Sequence, residues 1–240
     1  MNLETIRTTL NSHPSKQIFI PVIHCLPSMD PLKQRDLALE EGADGVIYIC
    51  HESGYEDGFL LTHIAKTPPE GLIGLNLLQS RDNELRMLME DHRCETRERL
   101  NFLWTDLQPS PFGGTYAKLA TLLKGLADLE NPIPLAAGCT FKGQAMIGDS
   151  LLQAFSKQCQ GSMDILTTSG PRTGVPASPE RVAMIEKGDC LLALASGVSV
   201  ENAKTFPNID MFFVSSSIEF LNGIFDRHKV RDLAQCIHSA

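Results

Sequence analysis

The chain predicts an α/β protein, a (β/α)8 barrel in a single domain spanning residues 1–240, and three observations carry that expectation. Apolar β-type runs recur eight times, and a loop and a helical pattern follow each. The runs are continuously apolar rather than alternating, which suits parallel strands buried on both faces. Eight strand–helix units in 240 residues is the count for such a barrel with few insertions. An open doubly wound sheet is the rival. It more often has about five to seven strands, and no Gly-x-Gly-x-x-Gly follows the first run.

Residues 1–17 read as an N-terminal extension with helical character. The first run is Ile18 to Ile23, the second Gly45 to Ile49, the third Leu72 to Leu75 and the fourth Leu100 to Trp104. The fifth is Ile133 to Ala137, the sixth Met163 to Leu166, the seventh Cys190 to Ala195 and the eighth Met211 to Val214. Between them, Leu119, Leu122, Leu123 and Leu126 follow helical spacing, as do Val230, Leu233, Ala234 and Ile237; Leu85, Leu88 and Met89 give a shorter match. Ser178-Pro179-Glu180 combines an N-cap, a proline at the first helical position and an acid in the first turn. Ser199 is a candidate cap for the helix after the seventh run and Asp226 for the last one. Pro109 to Gly114 reads as the loop after strand four.

A net charge of −8 and a pI near 5.4 argue against a general nucleic-acid or anionic-membrane binder. The N-terminus has no apolar run of signal-peptide length, and no stretch approaches the roughly 18 apolar residues of a membrane span. The expectation is a cytoplasmic protein. Its seven cysteines are scattered without a Cys-x-x-Cys pair, which fits buried thiols better than a disulfide framework or a zinc site.

In this barrel the active site lies at the C-terminal ends of the strands, so position along the chain converts into a list of candidates. His24 and Cys25 follow strand one, His51, Glu52 and Ser53 strand two, Asn76 strand three and Asp106 strand four. Cys139, Thr140 and Lys142 follow strand five, Thr167 to Gly174 strand six, Ser196 and Gly197 strand seven, and Ser215, Ser216 and Ser217 strand eight. The last two groups offer backbone N–H groups in small-residue turns plus hydroxyl donors, the ingredients of the phosphate site that such barrels build after strands seven and eight. The same small residues would also allow tight turns with no ligand. In the loop after strand six, Thr168, Gly170, Arg172, Thr173 and Gly174 combine donors, a cation and glycines that permit close backbone approach. Three prolines also allow it to be read as a rigid connector, but its position above the barrel favours ligand contact for part of the loop.

Lys142 is a candidate anion-binding, acid–base or Schiff-base lysine. Glu52 and Asp106 are candidate general acid–base groups. A hydrogen-bonded structural role is the commoner fate of strand-end histidines. No metal-ligand motif occurs, and neither a metal nor a cofactor is expected.

HCLPSMDP after strand one, EEGADGVIYICHES around strand two, AAGCTFKG after strand five, DILTTSGPRTG, ASGVSVENAKTF and FFVSSSIEFLNGIFDRHKVRDLAQ resemble the BtpA family. The resemblance covers most of the chain and is weakest over residues 1–17 and 77–130. It implies a ribulose-phosphate-binding type of TIM barrel. Founding members are associated with photosystem I biogenesis, others are catalogued under sugar metabolism, and no settled reaction carries over. The threonine–glycine loop matches through Thr168, Gly170, Thr173 and Gly174; Lys142 matches a lysine after strand five; Ser196 to Ser199 match the phosphate-site turn. The chain departs after strand two, where the family has an asparagine and an Asp-Pro-Phe run but this sequence has Cys50 to Tyr55. It departs again after strand eight, with Ser215-Ser216-Ser217 and Glu219 in place of a Gly-Thr pair and a lysine.

Two function classes follow. One is an enzyme acting on a phosphorylated sugar or phosphoribosyl compound by isomerisation, lyase-type cleavage or glycosyl transfer, with Lys142, Asp106 and Glu52 at the reacting end. The other is a non-catalytic assembly or biogenesis factor on the same scaffold, which predicts an exposed apolar patch or a stable protein partner. A homo-oligomer is left open. A carboxylate at position 197 is expected to abolish phosphate binding while leaving the fold intact.

Overall fold

The computed structural model describes residues 3–26, 29–50, 59–76, 95–111, 117–143, 147–221 and 223–239. Eight parallel strands close into one barrel in sequence order, with β8 hydrogen-bonded back to β1. The strands are β1 (Ile18–His24), β2 (Gly45–Ile49), β3 (Leu72–Asn76), β4 (Phe102–Trp104), β5 (Leu135–Gly138), β6 (Ile165–Ser169), β7 (Leu191–Ala195) and β8 (Met211–Val214). The described helices are α1 (Leu3–Ser12), α2 (Pro31–Glu40), α3 (Phe59–Lys66), α4 (Glu95–Arg99), α5 (Ala117–Ala127), α6 (Asp149–Gln160), α7 (Pro179–Ala183) and α8 (Arg227–His238). This is the single-domain barrel that the apolar runs predict.

The strands are apolar on both sides because they separate two cores. Inward residues such as Ile20, Ile47, Phe102, Ile165 and Phe213 fill the barrel, while their neighbours Phe19, Tyr48, Leu103, Leu166 and Phe212 pack under the helices. The N-terminal extension supplies α1, whose Ile6 and Leu10 join the barrel-interior cluster.

A repeated device ties the strands in pairs at the N-terminal face. Asp44, Asn101, Asp164 and Asp210 immediately precede β2, β4, β6 and β8. Each accepts, on its side chain, the N–H of a residue in the preceding odd strand: Phe19 at 2.7 Å, Ile73 at 2.7 Å, Leu135 at 2.9 Å and Leu192 at 2.8 Å. Each returns its own N–H to the carbonyl of that same residue. Four two-strand units are thus locked in register by one short polar side chain apiece, placed where the ladder would otherwise leave a buried donor unmet.

Asp44 carries a further load. His13 Nε2 lies 2.6 Å from one of its oxygens and His238 Nε2 2.8 Å from the other, with the two imidazoles stacked 3.8 Å apart at 7°. These three side chains sit close enough together to suggest a metal site. The stacking argues otherwise: lone pairs in two parallel, separated planes do not meet on one ion, whereas two N–H groups can each reach one oxygen of a carboxylate. The cluster joins both chain ends to the barrel floor.

Helix starts agree with the expected caps at Ser178, which accepts from Arg181 N at 3.2 Å, and at Asp226, which accepts from His228 N at 2.9 Å and Lys229 N at 3.1 Å. Ser199 differs. The chain after β7 makes only a 3-10 turn, Ala203–Thr205, with Asn202 at its start. After β8 comes not a helix but a hairpin, β9 (Glu219–Leu221) with β10 (Ile224–Phe225). The sixth strand begins two residues later and runs three residues further than its apolar run suggests, so Thr167 and Thr168 are strand residues rather than loop residues. Leu85, Leu88 and Met89 lie outside the described residues, as does part of the Pro109 to Gly114 loop. No helix among the described residues is long and apolar enough to cross a membrane.

Candidate functional site

A cavity of about 630 Å³ opens at the C-terminal ends of the strands. It is lined by Asp106, Lys142, Thr173, Gly174, Ser196, Gly197, Ser215, Ser216 and Ser217, all named by the strand-end argument. His24 and Asn76 also line it, together with Trp104, Phe141 and Asn202. Glu52 lies outside the described residues.

Lys142 reaches the mouth because β5 ends at Gly138 and the next turn folds back over the barrel. Thr140 takes a left-handed backbone (φ 62°), and Lys142 N is held by Ser169 Oγ at 2.8 Å. The ammonium donates to Thr173 Oγ1 at 3.1 Å and stands 5.6 Å from the centre of the Phe141 ring. Burial holds its pKa below the ordinary lysine value, and the negative charge of Asp106 partly offsets that shift. A half-buried cation beside a carboxylate can bind an anion or exchange a proton.

The opposite wall is made by the turns after β7 and β8. Ser196 is left-handed at φ 81° and Gly197 follows at φ 72°. Ser196 Oγ accepts from Gly174 N at 3.0 Å, joining this turn to the loop after β6. Asn202 fixes the turn from below: its Nδ2 donates to Gly197 O at 2.8 Å and its Oδ1 accepts from Ser199 N at 2.9 Å. Ser217 Oγ donates to Val198 O, linking the two turns. The N–H groups of Gly197, Val198, Ser216 and Ser217 have no acceptor among the described residues. Left-handed non-glycine residues store backbone strain, and such strain gathers at ligand clamps. Ser196 supplies one case in the cavity lining, and Thr140 a second in the turn that leads to Lys142.

Glu219, which stands where the BtpA-like pattern has a lysine, is taken up by its own hairpin. Its carboxylate accepts from Ser215 Oγ and from Gly223 N, and it does not line the cavity.

Some expected ligand residues are placed elsewhere. Arg172 is exposed and lines neither this cavity nor the smaller one beside it. Thr168 is buried, faces the outer layer and shares a hydrogen bond with Thr140 Oγ1 at 3.1 Å. It borders a separate cavity of about 250 Å³ near α7, as does Gly170. Gly170 is buried because Val175 O and the Pro176 carbonyl occupy the space a side chain would need, a packing reason rather than a ligand reason. Gly174 is left-handed (φ 75°) with open space beside it and does face the mouth.

Gly197 is more constrained than its turn position implies. A Cβ there would lie 2.5 Å from Val175 C and Pro176 N, in a conformation that L-residues avoid. Gly197→Ala is expected to cost about 2 kcal/mol or more in chemical denaturation. A carboxylate at 197 therefore would not leave the fold intact, contrary to the expectation from sequence.

The residues that sequence reasoning left aside are the aromatic floor and the turn clamp. Trp104 meets Phe141 edge-on at 5.9 Å and Phe213 at 5.2 Å. Its place at the inward C-terminal end of a strand was the available signal. For Asn202, the signal was its three-residue spacing from Ser199.

No family model matches the sequence, and no curated protein matches it. Solved structures do. Tryptophan synthase from M. tuberculosis superposes with a TM-score of 0.68 at 13% identity over 98% of this chain and 99% of that one. Thiamine phosphate pyrophosphorylase from Pyrococcus furiosus gives 0.63 at 10% identity over 97% of each chain. Phosphoribosyl anthranilate isomerase from Thermus thermophilus gives 0.62 at 14% identity over 92% of this chain and 98% of that one. At these identities the likeness is one of fold: this chain shares the barrel of those enzymes.

Proposed function

We propose that the chain binds a phosphorylated sugar or phosphoribosyl compound across the barrel mouth and acts on it as an enzyme. The phosphate sits against the turns 196–198 and 215–217, and the reacting end lies near Lys142 and Asp106. One observation carries this reading: the turns after β7 and β8, whose Gly197, Val198, Ser216 and Ser217 amides have no acceptor among the described residues, line the same cavity as Lys142. Lys142 is the only lysine or arginine among the described residues lining it. Amide nests and a desolvated ammonium both select anions. Remote phosphate binding then orients the other end of the ligand. Similar barrels carry names of phosphorylated compounds, phosphoribosyl anthranilate and thiamine phosphate, which agrees with the reading. The BtpA-like assignment rests on the sequence motifs, and a cytoplasmic location accompanies it. Isomerisation, lyase-type cleavage and glycosyl transfer remain the candidate reactions.

The assembly-factor reading has its own support. Phe220, Leu221 and Ile224 are exposed on the β9–β10 hairpin. Co-purification of a stoichiometric partner, with no turnover of any phosphate ester, would favour it.

Ser216 provides the cleaner test of the anion site, since its exposed side chain makes no hydrogen bond among the described residues. A ligand at 100 times its Kd stabilises the folded state by about 2.7 kcal/mol. A thermal-shift panel of sugar phosphates, phosphoribosyl compounds and inorganic phosphate is expected to show a selective shift that Ser216→Asp removes without lowering the unliganded midpoint. A flat panel, or an equal shift in the variant, counts against the site.

A further inference from the structure

Asn76 ends β3 at a position paired with Ile49 of β2 and Trp104 of β4. All three line the mouth cavity. Asn76 is fully buried, yet neither its amide nitrogen nor its carbonyl oxygen has a hydrogen-bond partner among the described residues. The Trp104 indole nitrogen, also buried, has none among them. Buried polar groups are almost always paired, so unpaired ones at the wall of a cavity mark a place where something else completes them.

The chemistry of that partner follows from the groups themselves. A primary amide offers a donor and an acceptor side by side, and an indole adds a second donor. Val22, Ile49 and Phe213, which line the same cavity, are apolar, so a charged group would be poorly solvated against them. A hydroxyl both donates and accepts, and two hydroxyls on neighbouring carbons would meet the amide on both atoms. We infer that Asn76 is the specificity-determining residue for the hydroxylated carbon chain of the ligand, with the Trp104 N–H as its second donor. The inference rests on the phosphate-site reading above and adds what selects the ligand's neutral end. Its consequence is strong discrimination: a site built to hydrogen-bond hydroxyls rejects the analogue that lacks them, because its own buried groups are then left unmet.

The test uses inorganic phosphate, pentose and hexose phosphates, and matched deoxy analogues of those sugars, titrated calorimetrically into the wild-type chain and Asn76→Leu. Wild type is expected to prefer at least one sugar phosphate over its deoxy analogue by tenfold or more. Asn76→Leu is expected to erase that preference, to leave inorganic phosphate binding unchanged, and not to lower the unliganded thermal midpoint. Asn76→Ala repeats the comparison should leucine fail to fit. Equal weakening of inorganic phosphate and sugar phosphate, unchanged sugar discrimination, or a lowered midpoint in both variants would overturn the inference while leaving the phosphate site standing. No binding of any phosphate by wild type would remove the phosphate site and this inference with it.

Discussion

Asp210→Ala is expected to lower the unfolding free energy by about 3 kcal/mol. Asp210 is buried and holds three bonds at once: Lys187 Nζ lies 2.7 Å from each carboxylate oxygen, and Leu192 N donates at 2.8 Å. Removing the carboxylate leaves a partly buried ammonium and a buried strand amide unmet, and each carries a desolvation cost. Asp210→Asn keeps an acceptor for Leu192 N and loses the ion pair, so its loss should be smaller. Urea unfolding would show a lower midpoint for alanine at an unchanged slope. A loss below about 1 kcal/mol for alanine would mean that the strand-pairing device is not what secures β7 to β8.

Lys142→Met is expected to weaken sugar-phosphate binding about 100-fold, a little under 3 kcal/mol, with no loss of thermal stability. The ammonium is the one lysine or arginine charge among the described residues lining the cavity, so its removal takes away that attraction. It is also a charge that burial disfavours, so its removal takes away a cost to the folded state. The pH dependence has a definite sign. With the folded pKa below the ordinary lysine value, the unfolded chain binds more protons between the two values. The cost of Lys142 is therefore fully present below the folded pKa and is relieved as pH rises through that window. Ligand binding runs the other way, fading as pH rises and Lys142 loses its proton. Calorimetric titrations from neutral to alkaline pH would show this decline in wild type, and a flat, weak response in Lys142→Met. Undiminished affinity in the methionine variant would take Lys142 out of the site.

Much of this architecture was legible in the chain. Continuous apolar runs marked the strands because a strand buried on both faces has no polar side to show. Ser178 followed by a proline at the first helical position marked the start of α7, and Asp226 marked that of α8, because a cap is satisfied within three residues. The strand-end rule named Asp106, Lys142, Ser196, Gly197, Ser215, Ser216 and Ser217, and the fold gathers them at one cavity.

What the chain order could not decide was direction and company. The apolar run of the sixth strand stops at Leu166, but the ladder continues to Ser169, so Thr168 became an outward strand residue instead of a loop ligand. Side chains alternate faces along a strand, and the register that assigns those faces is fixed by neighbouring strands. Arg172 points to solvent and Gly170 fills a packing need for reasons that lie in the chain path around them. The unmet amide of Asn76 and the clamp of Asn202 on Gly197 are likewise invisible in one dimension. Periodicity and capping are local and are written in consecutive residues. Whether a polar group finds a partner depends on which side chains from several strands meet it, and only closure of the barrel determines that.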